Sequence, residues 1–135
     1  MPTGIPIGLL VAAVVTATCV VKRNQRKFVQ AQERKQALLS EFDKATAEAR
    51  AVEGRISNLF MKLQEKGVAI SSDHRNGFFN QQSHLESIIN AAAILRQEDL
   101  KSRAKLAEQI RDLERLVNQV IGITCWFNRT KDRLG

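Results

Sequence analysis

The sequence predicts an all-α protein: an N-terminal transmembrane helix continuing into an antiparallel helical bundle, or coiled-coil-like hairpin. Three observations predict it. Residues 1–21 carry no charged side chain and contain the apolar run Ile5–Val21, followed at once by Lys22-Arg23-Asn24-Gln25-Arg26-Lys27. Both prolines lie near the N-terminus, so no Pro interrupts the rest of the chain. Apolar residues then recur at alternating steps of three and four in two long segments, the seam spacing of packed helices.

The apolar run comes first. Seventeen residues span about 26 Å as a helix, at the short end for a bilayer core of about 30 Å. A cleaved signal peptide wants Lys or Arg before such a run, and none precedes it. Lipidation at Cys19 is poorly served by Thr16-Ala17-Thr18, and the run continues past the cysteine. The marginal length leaves a buried soluble helix open beside the reading of a membrane anchor over 1–21. Six of the first seven charges after Val21 are positive. Lys and Arg are retained on the cytoplasmic side of a short membrane segment. The flank Lys22, Arg23, Arg26 and Lys27 therefore places the domain, 22–135, on the cytoplasmic face, with a short N-terminus outside. The expected location is the inner membrane, as a single-pass protein.

The first long helix is expected over 22–66, continuous with the anchor. Its seam runs Phe42, Ala45, Ala49, Val52, Ile56, Leu59 and Leu63, continuing more weakly upstream through Leu38 or Leu39. Phe28 and Phe60 add bulk on the same helix. Gly54 weakens a helix relative to Ala by about 1 kcal/mol and suggests a bend or a close contact. Lys66-Gly67 signals a helix C-terminus and Asn76-Gly77 a second turn, so 67–82 reads as a loop or short irregular helix. Ser83-His84-Leu85-Glu86 has capping-box spacing before Leu85, Ile88, Ala92 and Leu95, predicting a helix over 83–97.

The last helix is expected over 99–134, with its seam at Leu106, Ile110, Leu113, Val117, Val120, Thr124 and Phe127. Antiparallel to the first helix, it would bring its end back to the membrane. Trp126 would then sit among the headgroups, or close the bottom of the bundle, or both. Arg129, Lys131 and Arg133 would lie near anionic lipid beside the first basic flank.

The composition and motifs exclude more chemistry than they suggest. The net charge of +7 suits an anionic lipid surface or nucleic acid, or simply solubility. A nucleic-acid interface wants a denser basic face than either long helix offers, which argues against that partner. His74 and His84 are the only histidines and stand in no metal-ligand cluster. Neither has Glu three residues earlier, as a di-iron bundle would need. No phosphate-binding Gly-rich loop or nucleophile–base arrangement is present. Cys125 has no base nearby in sequence and reads as a small buried residue. The chain is therefore read as no enzyme, with no cofactor, metal or small-molecule substrate. Its expected partners are the lipid bilayer and either a second copy or other membrane-protein subunits. The rival reading is a phage or envelope structural protein, spanin-like or a small membrane-complex subunit, with the helical domain outside the cytoplasm.

Several stretches resemble the LemA family. Ile56-Ser57-Asn58-Leu59 is similar to the family's Ile-Pro-Asn-Leu, with Ser57 in place of Pro, and is followed by a helix ending in Lys66-Gly67. Asp99-Leu100-Lys101 is similar to the Asp-Leu-Lys that opens the family's last helix. Asn118-Gln119-Val120 and Trp126-Phe127-Asn128 fall where the family has Asn-Arg-Ile and Tyr-Tyr-Asn. The basic run before the first motif is absent, and the middle of the domain is shorter. The resemblance implies one membrane helix and a cytoplasmic four-helix layout, with 67–82 as a degenerate second helix and 83–97 as the third. It implies a scaffold and its location rather than a reaction.

Overall fold

The computed structural model of the chain describes residues 7–98 and 103–134, with the side chains of 7–21 and of Arg103 outside the description. Three helices account for nearly all of it: α1 (Ile7–Glu65), α2 (Ser72–Gln97) and α3 (Arg103–Leu134). Among the described residues there is no strand. The class is all-α, and the three helices pack as a bundle.

Helix α1 has 59 residues and is about 88 Å long at 1.5 Å per residue. It ends where the sequence expects, and the cause is visible. Gly67 adopts φ 75°, the left-handed region where a side chain clashes with the backbone. That turn lets the Val68 N–H donate to the Leu63 carbonyl at 2.9 Å and the Gly67 N–H to the Gln64 carbonyl at 3.1 Å. The pair is a Schellman motif, which satisfies carbonyls that the helix end would otherwise leave open.

The expected loop over 67–82 is corrected by α2, which begins at Ser72 rather than near Ser83. Ser71 is the N-cap: its Oγ accepts from the His74 N–H at 3.2 Å. The Ser83–Glu86 spacing falls in the middle of the helix, where every backbone N–H already has a partner one turn back. Asn76-Gly77 is likewise helical. Its glycine serves packing: a Cβ at Gly77 would sit 2.8 Å from Cζ2 of Trp126, so only a bare Cα admits the indole. Gly54 also departs from expectation, since nothing lies within 4 Å of where its Cβ would be.

A full-length α2 changes the topology. It returns antiparallel along α1, in a register marked by Arg96–Asp43, Arg50–Glu86 and Gln82–Glu53. Helix α3 then crosses again and runs parallel to α1, with Glu114 near Arg34 and the far end at Phe78 and Phe60. The expectation that the last helix lies antiparallel to the first is therefore corrected: three crossings, not two, separate its end from the start of the bundle. The four-helix layout is also absent among the described residues, because 72–97 is a single helix. Asp99-Leu100-Lys101 and the start of the expected 99–134 helix lie outside the described residues.

The core is one main cluster with a small satellite. Phe42, Ala49, Val52 and Ile56 from α1 meet Leu85, Ile88 and Ala92 from α2 and Leu116, Val117, Val120, Ile123 and Phe127 from α3. Leu38, Leu39 and Leu113 close the other end, with Ile110 packed against them. The most extensive interface is between α1 and α3. The small Ala45 and Ala49 fit such a close approach.

Candidate functional site: a bundle between two basic ends

The candidate functional surfaces among the described residues are the seams and the two ends of the rod. The seams are built largely as the periodicity predicts. Phe42, Val52, Ile56, Leu106, Leu113 and Val117 are buried, and Ile110 is half-buried against Leu38, Leu39 and Leu113. Leu59 and Leu63 are the exceptions. Both are only half-buried and neither packs against the core cluster; Phe60, itself half-buried, packs there instead. The α1 stripe rotates at this point because Phe78 arrives from α2. Phe60 and Phe78 stack edge to face at 5.2 Å, and Phe78 meets Phe127 at 5.7 Å. Such pairs add about 0.5–1.5 kcal/mol each beyond the area that they bury.

Leu116 and Ile123 widen the α3 stripe beyond the expected seam. A helix facing two partners needs more than two apolar positions per seven, and Leu116-Val117 side by side is the signal for it. Three buried polar residues lie off the predicted seams: Thr130 near the end of α3, and Lys35 and Gln109 at the lower end of the bundle. Lys35 is 8% exposed and its Nζ donates to the Glu98 carbonyl at 3.2 Å, at the C-terminus of α2. A cation there meets both an open carbonyl and the negative end of the helix dipole. Gln109, 4% exposed, donates through Nε2 to the Glu98 carboxylate. Together Lys35 and Gln109 seal the lower end of the bundle, where α2 hands over to α3.

The lower end continues as bare helix. Lys22, Arg23, Arg26 and Lys27 are all exposed, and no side chain from 22 to 34 is buried. Among the described residues no helix is long and apolar enough to cross a membrane. The anchor expected over 1–21 lies outside the described side chains.

The upper end corrects a placement. Trp126 is half-buried against Gly77 and Phe127, the latter at 5.9 Å. It closes the distal end of the bundle, with Arg129, Lys131 and Arg133 in the turns that follow. Thirty-three residues of α1 separate Lys27 from Phe60, about 50 Å along the axis. Trp126 and these three cations therefore do not share a surface with Lys22–Lys27. The geometry of three crossings carries them to the opposite end.

The chemistry between the ends is sparse. Arg96 and Asp43 form a paired contact, and the hydrogen bond to Asp43 raises the guanidinium's pKa above its ordinary value. Both partners are about half-exposed, so the pair sets register more than stability. Among the described residues no three His, Cys, Asp or Glu side chains gather in a way that could hold a metal. His84 is exposed, and so is Cys125, contrary to the expectation of a buried thiol. It projects from the outer face of α3. Compared with protein-family models, curated proteins and solved structures, the chain matches none.

Proposed function

We propose that the chain is a single-pass, membrane-anchored helical scaffold of the LemA-like type, on the cytoplasmic face and without catalysis. One observation carries the reading: the uncharged run Ile5–Val21 leads directly into Lys22, Arg23, Arg26 and Lys27 on a helix that also forms the first wall of the bundle. An anchor fused to a wall without a flexible joint would hold the bundle upright on the bilayer. The basic flank would sit at the anionic headgroups, and the bundle would present its outer faces to a second copy or to other membrane-protein subunits. The LemA likeness enters as anchored helical architecture, not as a four-helix layout.

Alkaline extraction and reporter fusions test this reading. The chain should stay with the membrane pellet at high pH. A reporter fused after Gly135 should be active in its cytoplasmic form and silent in its export-dependent form. Release into the supernatant would remove the anchor. The reverse reporter pattern would place the bundle outside, as in an envelope or phage structural protein.

A further inference from the structure

The distal end of the bundle exposes apolar side chains that folding would be expected to hide. Phe79 is 66% exposed, Met61 60% and Val68 49%. Met61 lies in the last turns of α1, Val68 in the 66–71 connection and Phe79 two turns into α2. Phe79 stands over a shallow groove walled by Phe60, Gln64, Ile70 and Arg75. Neighbouring Phe78 is buried, so the exposed ring is not filling a gap in the core. Scattered exposed hydrophobics are ordinary, but an exposed ring over an apolar groove edged by a cation marks a surface that meets something.

The rim indicates what it meets. The turns at this end carry Lys62, Lys66, Arg75, Arg129, Lys131 and Arg133 against Glu65, Asp73 and Asp132. A second copy would bring the same positive rim, and like charges would repel. An anionic bilayer offers both complements at once, phosphate oxygens for the cations and an acyl boundary for Phe79, Met61 and Val68. Long Lys and Arg stems can lie along the apolar residues and lift their charges to the headgroups.

We infer that the distal tip, centred on the Phe79 groove with Arg75 at its edge and with Lys66 and Val68 on the connection above, is a docking surface for an anionic membrane. This rests on the proposed anchor for its consequence but not for its chemistry. From Lys27 to Glu65, α1 rises about 57 Å, so an anchored chain cannot turn its tip back to its own bilayer. It would reach an apposed one, and the protein would tether two membranes.

The test uses the full chain loaded through its apolar run into nanodiscs of phosphatidylcholine alone. These are mixed with vesicles of phosphatidylcholine containing phosphatidylglycerol, or of phosphatidylcholine only, and vesicle-bound discs are counted after flotation. A chain that does not load contradicts the anchor and leaves the tip to be assayed directly on the same vesicles. A loaded chain should bind the anionic vesicles and not the neutral ones. Brominated lipid in the vesicle should quench Trp126, the only tryptophan and a neighbour of the tip. Replacing Lys66 and Arg75 by Gln should weaken binding about twenty-five-fold, at roughly fivefold per cation. Phe79→Ser, a surface change that spares the core, should weaken it about tenfold. Neutralising Lys22, Arg23, Arg26 and Lys27 together should leave it unchanged. Loss only on neutralising that flank would overturn the inference, as would equal binding to neutral vesicles. Paired discs without vesicles, separated by Phe79→Ser, would assign the tip to a second copy and overturn it as well.

Discussion

Two parts of one helix behave differently. From Lys22 to Arg34, α1 has no buried side chain; from Lys35 to Ile56 it buries Lys35, Leu38, Leu39, Phe42, Ala49, Val52 and Ile56. The backbone is helical through both. The lower part is held by residues with good intrinsic preference and by the absence of Gly and Pro, and isolated helices of that kind are marginal in water. The upper part is held by burial against α2 and α3. Identical secondary structure therefore has two origins, and substitutions should separate them.

The sharpest separation comes from an introduced charge. Leu113 is fully buried against Leu38 and Leu39, so Leu113→Asp should cost several kcal/mol, a large share of a small domain's whole stability. The same change at Val29, half-exposed on the lower part, should move the denaturation midpoint by no more than about 0.5 kcal/mol. A Leu113→Asp chain that melts like the parent would remove the seam from the account. A Val29→Asp chain that melts early would mean that the lower part has a partner.

A second test falls at the far end of the upper part. Gly77→Val adds bulk where a Cβ alone already comes within 2.8 Å of the Trp126 ring. Overpacking of this kind should destabilise by about 1–3 kcal/mol. Because Trp126 is the only tryptophan, its emission should shift to the red as the ring is pushed toward water. Unchanged emission and stability would show that the indole is free to move aside.

Gly77 also shows where the sequence was legible and where it was not. The 3–4 spacing gave the faces of α1 and α3 because that signal lies within each helix. Lys66-Gly67 gave the end of α1 because a left-handed turn is a local requirement. Asn76-Gly77 has the composition of a turn, yet its glycine answers the ring of Trp126, 49 residues later in the sequence. A turn there divides 72–97 into two pieces, and one crossing more or fewer reverses the direction of α3. The placement of Trp126, Arg129, Lys131 and Arg133 at the lower end followed from it. Leu59 and Leu63 were misplaced for a related reason: the seam of α1 shifts to Phe60 when Phe78 packs there. The distal apolar tip was signalled by adjacent Phe78-Phe79, one of which turns inward and one outward.

The boundary between the two parts of α1 is Lys35. Its Nζ closes the α2 C-terminus through the Glu98 carbonyl, while its stem packs into the lower end of the bundle. Lys35→Met keeps the stem and removes the donor, and should cost about 1 kcal/mol in chemical denaturation. Arg34→Met, one residue below and ion-paired only at an exposed 3.5 Å contact with Glu114, should cost less than half of that. Equal losses would mean that the boundary lies lower on the helix than burial indicates.

The smallest effect runs in the opposite direction and contrasts two glycines of α1. Gly54 lies mid-helix with nothing within 4 Å of a modest side chain, whereas Gly67 holds φ 75° at the helix end. Alanine at 54 fills open space and restricts the unfolded chain, so Gly54→Ala should stabilise by about 0.5–1 kcal/mol. Alanine at 67 forces a side chain into the left-handed region and should destabilise by about 1 kcal/mol. Thermal melting of the two variants should therefore bracket the parent. Should Gly54→Ala melt lower instead, the outer face of α1 at that position must be covered in the assembled protein. A second copy or a partner subunit would then lie against it.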